Sequence, residues 1–137
     1  MSDPTALVID DNGAVRWFIS LGLQARGWRV SEASNASEGL RAFKQLSPQL
    51  VTLDLVMPNN DGLDSLHLAQ IIKRAPCATL FVASAFVDRP DVEDFLRSHK
   101  IPFFQKSSAT EKAPLRPLFR AAESVLKRIR SRTAKRS

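Results

Sequence analysis

The feature that most restricts the fold of this chain is an alternation of short apolar runs with longer amphipathic stretches. The apolar runs predict five buried strands, at Ala6–Ile9, Trp28–Ala33, Leu50–Leu53, Thr79–Ala83 and Ile101–Phe104. Apolar side chains at helical spacing predict five helices: residues 14–26, 36–46 and 63–74, a helix capped by Asp88, and a last helix with an apolar stripe from Leu115 to Ile129. Strands that alternate with helices in this way form a parallel sheet with helices on both faces.

The positive charge of the chain lies at its C-terminal end. The net charge is +6, and residues 127–136 hold six basic side chains and no acidic one. The rest of the chain carries as many basic as acidic residues, 14 of each. We therefore expect one domain over residues 4–130, followed by a basic, flexible tail at 131–137. The pattern favours a solvated helix end over a nucleic-acid contact, because no aromatic side chain interleaves the basic ones.

Composition also restricts the compartment. The only cysteine, Cys77, excludes an internal disulfide and suits a reducing cytoplasm. No apolar run approaches the roughly 20 residues that span a bilayer, and the N-terminus lacks the pattern of a signal peptide. These observations predict a soluble, cytoplasmic protein without membrane contacts.

Polar side chains stand at the ends of four of the predicted strands. Asp10 and Asp11 follow the first strand, Asp54 follows the third, Ser84 follows the fourth and Lys106 follows the fifth. In an open parallel sheet the ligand site lies beyond the carboxyl ends of the strands. We therefore expect these five side chains to meet at one edge of the sheet.

The chemistry of this set points to phosphoryl transfer. Three carboxylates in one site repel each other unless a cation relieves them, and Mg²⁺ prefers carboxylate, water and phosphate oxygens. Lys106 supplies fixed positive charge for a phosphoryl group and Ser84 supplies a hydroxyl donor. Asp54 is then the expected nucleophile.

The motifs around these residues resemble the receiver domain of bacterial two-component response regulators, over roughly residues 4–130. Four segments carry the resemblance: Leu7–Asp11 with Arg16 in the next helix, Leu53–Gly62, Val82–Ala85 and Phe103–Lys106. Each is weak alone, but their joint order and spacing are specific. The resemblance implies a flavodoxin-like (βα)5 doubly wound α/β fold with a parallel five-stranded sheet in the order 2-1-3-4-5.

The resemblance also implies a metal site and a phosphoacceptor. Asp54 would accept the phosphoryl group. Asp11 and Asp54 would ligate Mg²⁺ together with the backbone carbonyl of Val56, and Asp10 would act largely through a metal-bound water. Arg16 is interpreted as a surface or ion-pair residue.

A conformational switch is implied as well. Ser84 would bond the phosphoryl group and move toward it, while Lys106 would pair with Asp54 before phosphorylation and hold a phosphoryl oxygen afterwards. Phe103 occupies the aromatic switch position and would turn inward as Ser84 moves. This would change the face formed by the fourth helix, the fifth strand and the fifth helix.

Three positions depart from the family pattern. Ser107 follows Lys106 where the family usually has proline. Val56 and Phe86 stand two residues beyond Asp54 and Ser84, at positions that flank the path of the hydrolytic water. Because neither side chain can orient water, we hypothesise slow hydrolysis of the phosphorylated form; the alternative is that Phe86 simply packs.

The predicted function is that of a stand-alone receiver rather than an enzyme with a separate substrate. It would take a phosphoryl group from a histidine kinase or a histidine phosphotransfer protein and signal through protein contacts with a downstream target. A homodimer through the switch face is one form of such a contact. The alternatives are a phosphorylation-independent scaffold and a receiver fragment of a larger regulator. A phosphatase related to haloacid dehalogenases is disfavoured, because Val56 stands where those enzymes need a second acid.

Overall fold

The computed structural model describes residues 3–57, 64–84, 90–106 and 115–136. The strands are β1 (Thr5–Ile9), β2 (Arg29–Ala33), β3 (Leu50–Leu53), β4 (Thr79–Ser84) and β5 (Phe103–Gln105). The helices are α1 (Gly13–Gln24), α2 (Ala36–Leu46), α3 (Ser65–Arg74), α4 (Pro90–Ser98) and α5 (Arg116–Arg136).

The described strands form one parallel sheet in the order β2-β1-β3-β4-β5. In its register Ile9 lies opposite Leu53, and Ser84 lies opposite Gln105. The residues that follow these strands therefore come out along the same edge. This confirms the predicted flavodoxin-like, doubly wound α/β fold with strand order 2-1-3-4-5.

Apolar side chains pack on both faces of the sheet. Val8 belongs to the cluster that packs with α1 and α5, whereas Leu7 and Ile9 belong to the cluster that packs with α3 and α4. All three are at most 1% exposed, which explains why β1 is a continuous apolar run. Gly39 lets α2 approach β1 closely, because a Cβ atom there would lie 2.7 Å from Ile9 Cδ1.

Side-chain caps fix where α1 and α2 begin. Asn12 Oδ1 accepts hydrogen bonds from the backbone N–H groups of Ala14 and Val15, at 3.0 and 3.1 Å. Asn35 caps α2 in the same way by accepting from Glu38 N at 2.8 Å. Glu38 Oε2 accepts from Ser34 N and from the Ser34 hydroxyl, one residue before the position that a standard capping box would use.

Some boundaries differ from those predicted. The described part of α3 begins at Ser65 with Asp64 as its cap, while the predicted start at Leu63 and the predicted cap Asp88 of α4 lie outside the described residues. β5 begins two residues later than predicted, because Ile101 N bonds back to Leu96 O at 2.9 Å in the turn that leaves α4.

The last helix is longer than predicted. α5 continues to Arg136, whereas the sequence predicts a flexible tail from residue 131. Residues 131–136 contain neither glycine nor proline, and basic side chains suit the negative end of a helix. The domain boundary at residue 130 itself stays a prediction. Among the described helices, none has both the length and the hydrophobicity needed to cross a bilayer.

Candidate functional site

The predicted site residues meet at the carboxyl edge of the sheet, where backbone hydrogen bonds continue past the strand ends. Asp54 N donates to Ile9 O at 3.0 Å, and Lys106 N donates to Ser84 O at 2.8 Å. Asp10 N donates to Ala33 O at 3.1 Å. The backbone of each of these residues is therefore held by the neighbouring strand.

Both carboxylate oxygens of Asp54 accept hydrogen bonds. Oδ1 accepts from the Ser84 hydroxyl at 3.1 Å and from Val56 N at 2.9 Å. Oδ2 accepts from Lys106 Nζ at 2.9 Å. Asp54 is 4% exposed and Ser84 is fully buried, so these contacts orient the carboxylate in a largely dry environment.

Lys106 connects Asp54 to Asp10. Its Nζ lies 2.6 Å from Asp10 Oδ2, in addition to its contact with Asp54. Asp10 Oδ1 accepts a hydrogen bond from Asn12 N at 2.9 Å, and Asp10 is only 1% exposed. A single ammonium group thus contacts two buried carboxylates.

The pKa shifts follow from this burial. Burial raises the pKa of the Asp10 carboxyl more than the Lys106 ammonium and the Asn12 N–H lower it. Burial alone would lower the pKa of Lys106, but its bonds to Asp10 and Asp54 outweigh that effect and raise its pKa. Lys106 therefore remains an ammonium group at neutral pH.

Asp10, Asp11 and Asp54 form the candidate metal site. Each offers a carboxylate oxygen, and these atoms all lie within 4.8 Å of one another. Asp10 and Asp54 are buried, whereas Asp11 is exposed and opens the group to solvent. Hard oxygen donors with an open side fit Mg²⁺, which keeps several of its own waters. The part of Val56 as a ligand stays a prediction.

Sequence reasoning missed two contributions near Asp10. Asn12 both caps α1 and donates its N–H to the Asp10 carboxylate. Arg16 forms an ion pair, as predicted, from Nε to Glu32 Oε1 at 3.0 Å. The missed contact is its second one, in which Nη1 donates to the Asp10 backbone oxygen at 2.8 Å. The Asn12 cap could have been predicted, because asparagine just before a predicted helix is a preferred N-cap residue. The Arg16 contact has no comparable signal.

The predicted switch residues lie in two neighbouring strands. Ser84 is buried at the end of β4, and Phe103 is 39% exposed at the start of β5. Phe103 borders a pocket of about 490 Å³ between α4 and β5. The departures noted at Phe86 and Ser107 fall outside the described residues.

Comparison with known proteins identifies the family. The family described as the response regulator receiver domain matches residues 6–114. The chain belongs to this family. Chemotaxis protein CheY of Thermotoga maritima is 30% identical over 101 residues, which cover 73% of this chain and 82% of CheY.

Two further relatives extend the comparison. A crystal structure of the response regulator TrrA from Thermotoga maritima, in complex with Mg²⁺-BeF, has a TM-score of 0.69, with 24% identity, 89% coverage of this chain and 98% of that chain. Transcriptional regulatory protein AfsQ1 of Streptomyces coelicolor is 30% identical over 89 residues, 65% of this chain. The chain spans only 38% of AfsQ1, so the activity of that whole protein does not carry over.

Proposed function

We propose that this receiver accepts a phosphoryl group on Asp54, in a Mg²⁺-dependent reaction, from a histidine kinase or a histidine phosphotransfer protein. The observation that carries the proposal is the set of groups around the Asp54 carboxylate. Lys106 and Ser84 contact it, and Asp10 and Asp11 form an acidic group with it. The receiver would catalyse only its own phosphorylation and dephosphorylation and would have no separate substrate. A cytoplasmic location is part of the proposal.

The transfer exchanges one phosphorus bond for another. A carboxylate oxygen of Asp54 attacks the phosphorus atom of a phosphohistidine, the P–N bond breaks, and the leaving imidazole nitrogen takes the electron pair and then a proton from water. Mg²⁺, when bound, supplies charge neutralisation for the phosphoryl oxygens. Such a reaction depends mainly on alignment and electrostatic stabilisation.

The residues already bonded to Asp54 would then change partners. The Lys106 ammonium would donate a hydrogen bond to a phosphoryl oxygen instead of to the Asp54 carboxylate. The Ser84 hydroxyl would change its acceptor in the same way. Val56 N would continue to hold the aspartate side chain in place. Movement of Ser84 would free space for the exposed ring of Phe103, which is the proposed readout at the α4–β5–α5 face.

Protein contacts would deliver and read the signal. The outer face of α1 exposes Trp17 and Leu21, at 61% and 43%, and this helix begins two residues after Asp11. An exposed apolar helix face beside the acceptor supports contact with a phosphodonor protein. A downstream target, or a second copy of the chain, would bind the α4–β5–α5 face.

The experiment is phosphorylation with a small donor. The protein would be incubated with acetyl phosphate, with Mg²⁺ or with EDTA, and its intact mass followed. Wild type should gain one phosphoryl group only with Mg²⁺, and Asp54→Asn should gain none. Asp94→Asn, an exposed aspartate on α4, is the matched control and should behave as wild type.

Two results would overturn the proposal: no modification of wild type, or equal modification of Asp54→Asn. A target protein that binds the phosphorylated and unmodified forms equally would instead favour the scaffold alternative. A pull-down with both forms makes that distinction.

A further inference from the structure

A second pocket lies at the amino ends of the strands, at the opposite end of the sheet from Asp54. It has a volume of about 440 Å³ and is formed by the C-terminal half of α5, the turn that enters β4, and Gln49 just before β3. Thr79, at the first position of β4, lines it, whereas Ser84 at the last position contacts Asp54. The pocket is therefore separate from the phosphoacceptor site.

The charge of this pocket is positive. Arg128 and Arg132 line it, and among the residues that the structure describes no acidic side chain does. Both arginines are exposed, and the ion pairs found within the described residues include neither of them. They stand four positions apart on one helix face, where like charges destabilise a helix. An anion between them would remove that repulsion.

Two neutral groups in the same pocket can donate hydrogen bonds. Gln49 Oε1 accepts from Thr5 N at 3.3 Å, which turns the Gln49 NH₂ group away from that contact and leaves it able to donate. The Thr79 hydroxyl is a second donor. Thr133 differs, because its hydroxyl already donates to Ile129 O at 3.0 Å.

We propose that this pocket binds a compact phosphate-bearing anion between the guanidinium groups of Arg128 and Arg132. The planar fork of an arginine matches two oxygens of a phosphate group, and two such forks match a diphosphate better than a single-charged anion. The concave shape and the neutral donors beside the arginines favour an enclosed anion over the backbone of a long duplex. The duplex would need a row of cations along an open face.

A simpler explanation accounts for part of the charge. Basic side chains near the end of any helix interact favourably with its C-terminal carbonyl groups. That effect requires only that the charges lie near the helix end. It does not explain why two arginines line one cavity together with hydrogen-bond donors and, among the described residues, no acidic side chain. It also predicts no saturable anion binding.

Cys77 provides a local test, because it is the only cysteine of the chain, is exposed and lines this pocket. The rate of its alkylation by neutral iodoacetamide would be measured in EDTA at low ionic strength, with increasing pyrophosphate. We expect saturable protection in wild type. Arg128→Gln and Arg132→Gln should each raise the pyrophosphate concentration that gives half-maximal protection by at least about 10-fold, as expected for the loss of one charge-assisted hydrogen bond.

Arg120→Gln is the matched control, since Arg120 is exposed on the same helix and does not line the pocket. It removes the same charge and should leave protection unchanged. The proposal is overturned if wild type shows no protection, if sodium chloride at equal ionic strength protects as well, or if Arg120→Gln loses protection equally. It is also overturned if duplex DNA protects Cys77 in every variant while pyrophosphate does not.

A second measurement covers the case in which a variant folds poorly. Pyrophosphate should raise the thermal unfolding midpoint of wild type and of Arg120→Gln, because a ligand that binds the folded state stabilises it. It should raise the midpoint less in Arg128→Gln/Arg132→Gln. An equal rise in all three proteins would place the anion elsewhere and refute the proposal.

Discussion

Replacing Lys106 with methionine would test whether one ammonium group holds the two buried carboxylates together. Methionine keeps a long unbranched side chain and removes the charge. In the folded protein Nζ lies 2.6 Å from Asp10 Oδ2 and 2.9 Å from Asp54 Oδ2. Without it, two carboxylates that are 1% and 4% exposed would lose that shared cation.

The expected loss of stability can be estimated from this geometry. Removing one partner of a buried ion pair costs about 3–5 kcal/mol. The Lys106 side chain is 15% exposed, so water relieves part of the penalty, and we expect about 3 kcal/mol at neutral pH. Breaking a surface contact would cost far less.

The pH dependence has a defined sign. The pKa of Asp10 is raised in the folded state, so its protonated form favours folding, and that contribution is lost as pH rises through the folded pKa. Loss of the Lys106 ammonium would raise this pKa further. The stability difference between wild type and Lys106→Met should therefore be largest at neutral pH and shrink in acid.

Urea unfolding in EDTA would measure these differences. Lys44→Met, at an exposed position on α2, is the control and should change stability by less than about 0.5 kcal/mol. Asp54→Asn added to Lys106→Met should recover a large part of the loss, and Mg²⁺ should stabilise Lys106→Met more than wild type. A loss below about 1 kcal/mol, or no recovery on adding Asp54→Asn, would refute the electrostatic reasoning.

Two further predictions concern α2 and the lifetime of the phosphorylated state. The backbone N–H of Ser34, and to a lesser extent its hydroxyl, lower the pKa of Glu38 in the folded protein. The ionised Glu38 therefore stabilises the fold above the unfolded-state pKa, and this stabilisation is lost as pH falls through the folded-state pKa. Glu38→Gln should therefore be less stable than wild type at neutral pH and equal to it in strong acid; a difference that is constant with pH in thermal unfolding would contradict this. Val56 is 56% exposed, so an amide there could orient water, and Val56→Asn should lose its phosphoryl group about 10-fold faster in a mass-based decay assay. Equal decay rates would remove Val56 as a cause of slow hydrolysis.

The part of the site that could be predicted is the part that topology determines. Asp10, Asp54 and Lys106 follow strands that the apolar pattern already locates, Ser84 ends another, and parallel strands bring their ends to one edge. The rule needs only the order of strands and helices. It needs no knowledge of side-chain conformation, which is why it succeeded.

The parts that could not be predicted depend on local geometry. The bond from Arg16 to the Asp10 backbone oxygen requires a particular angle between α1 and β1, and the sequence pattern does not specify that angle. The end of α5 depends on helix propensity competing with fraying, and a run of basic residues is compatible with both. Two residues that line the pocket beside Arg128, Arg132 and Thr133, lie in the stretch that was predicted to be a flexible tail, so the sequence did not predict that they meet Arg128 there.

The two oxygens of Asp54 limit how a phosphoryl group could be accommodated. Oδ1 is engaged by Ser84 and Val56, and Oδ2 by Lys106, so a new bond at either oxygen displaces at least one existing contact. Ser84 ends β4 and Lys106 follows β5, and the bond from Lys106 N to Ser84 O joins the two segments. A change at either residue therefore acts on the same pair of strands, and Phe103 lies in one of them. We therefore expect modification of Asp54 to act on the α4–β5 side of the domain, whereas β2 is linked to the site by the bond from Asp10 N to Ala33 O and by the pairing of Glu32 with Arg16.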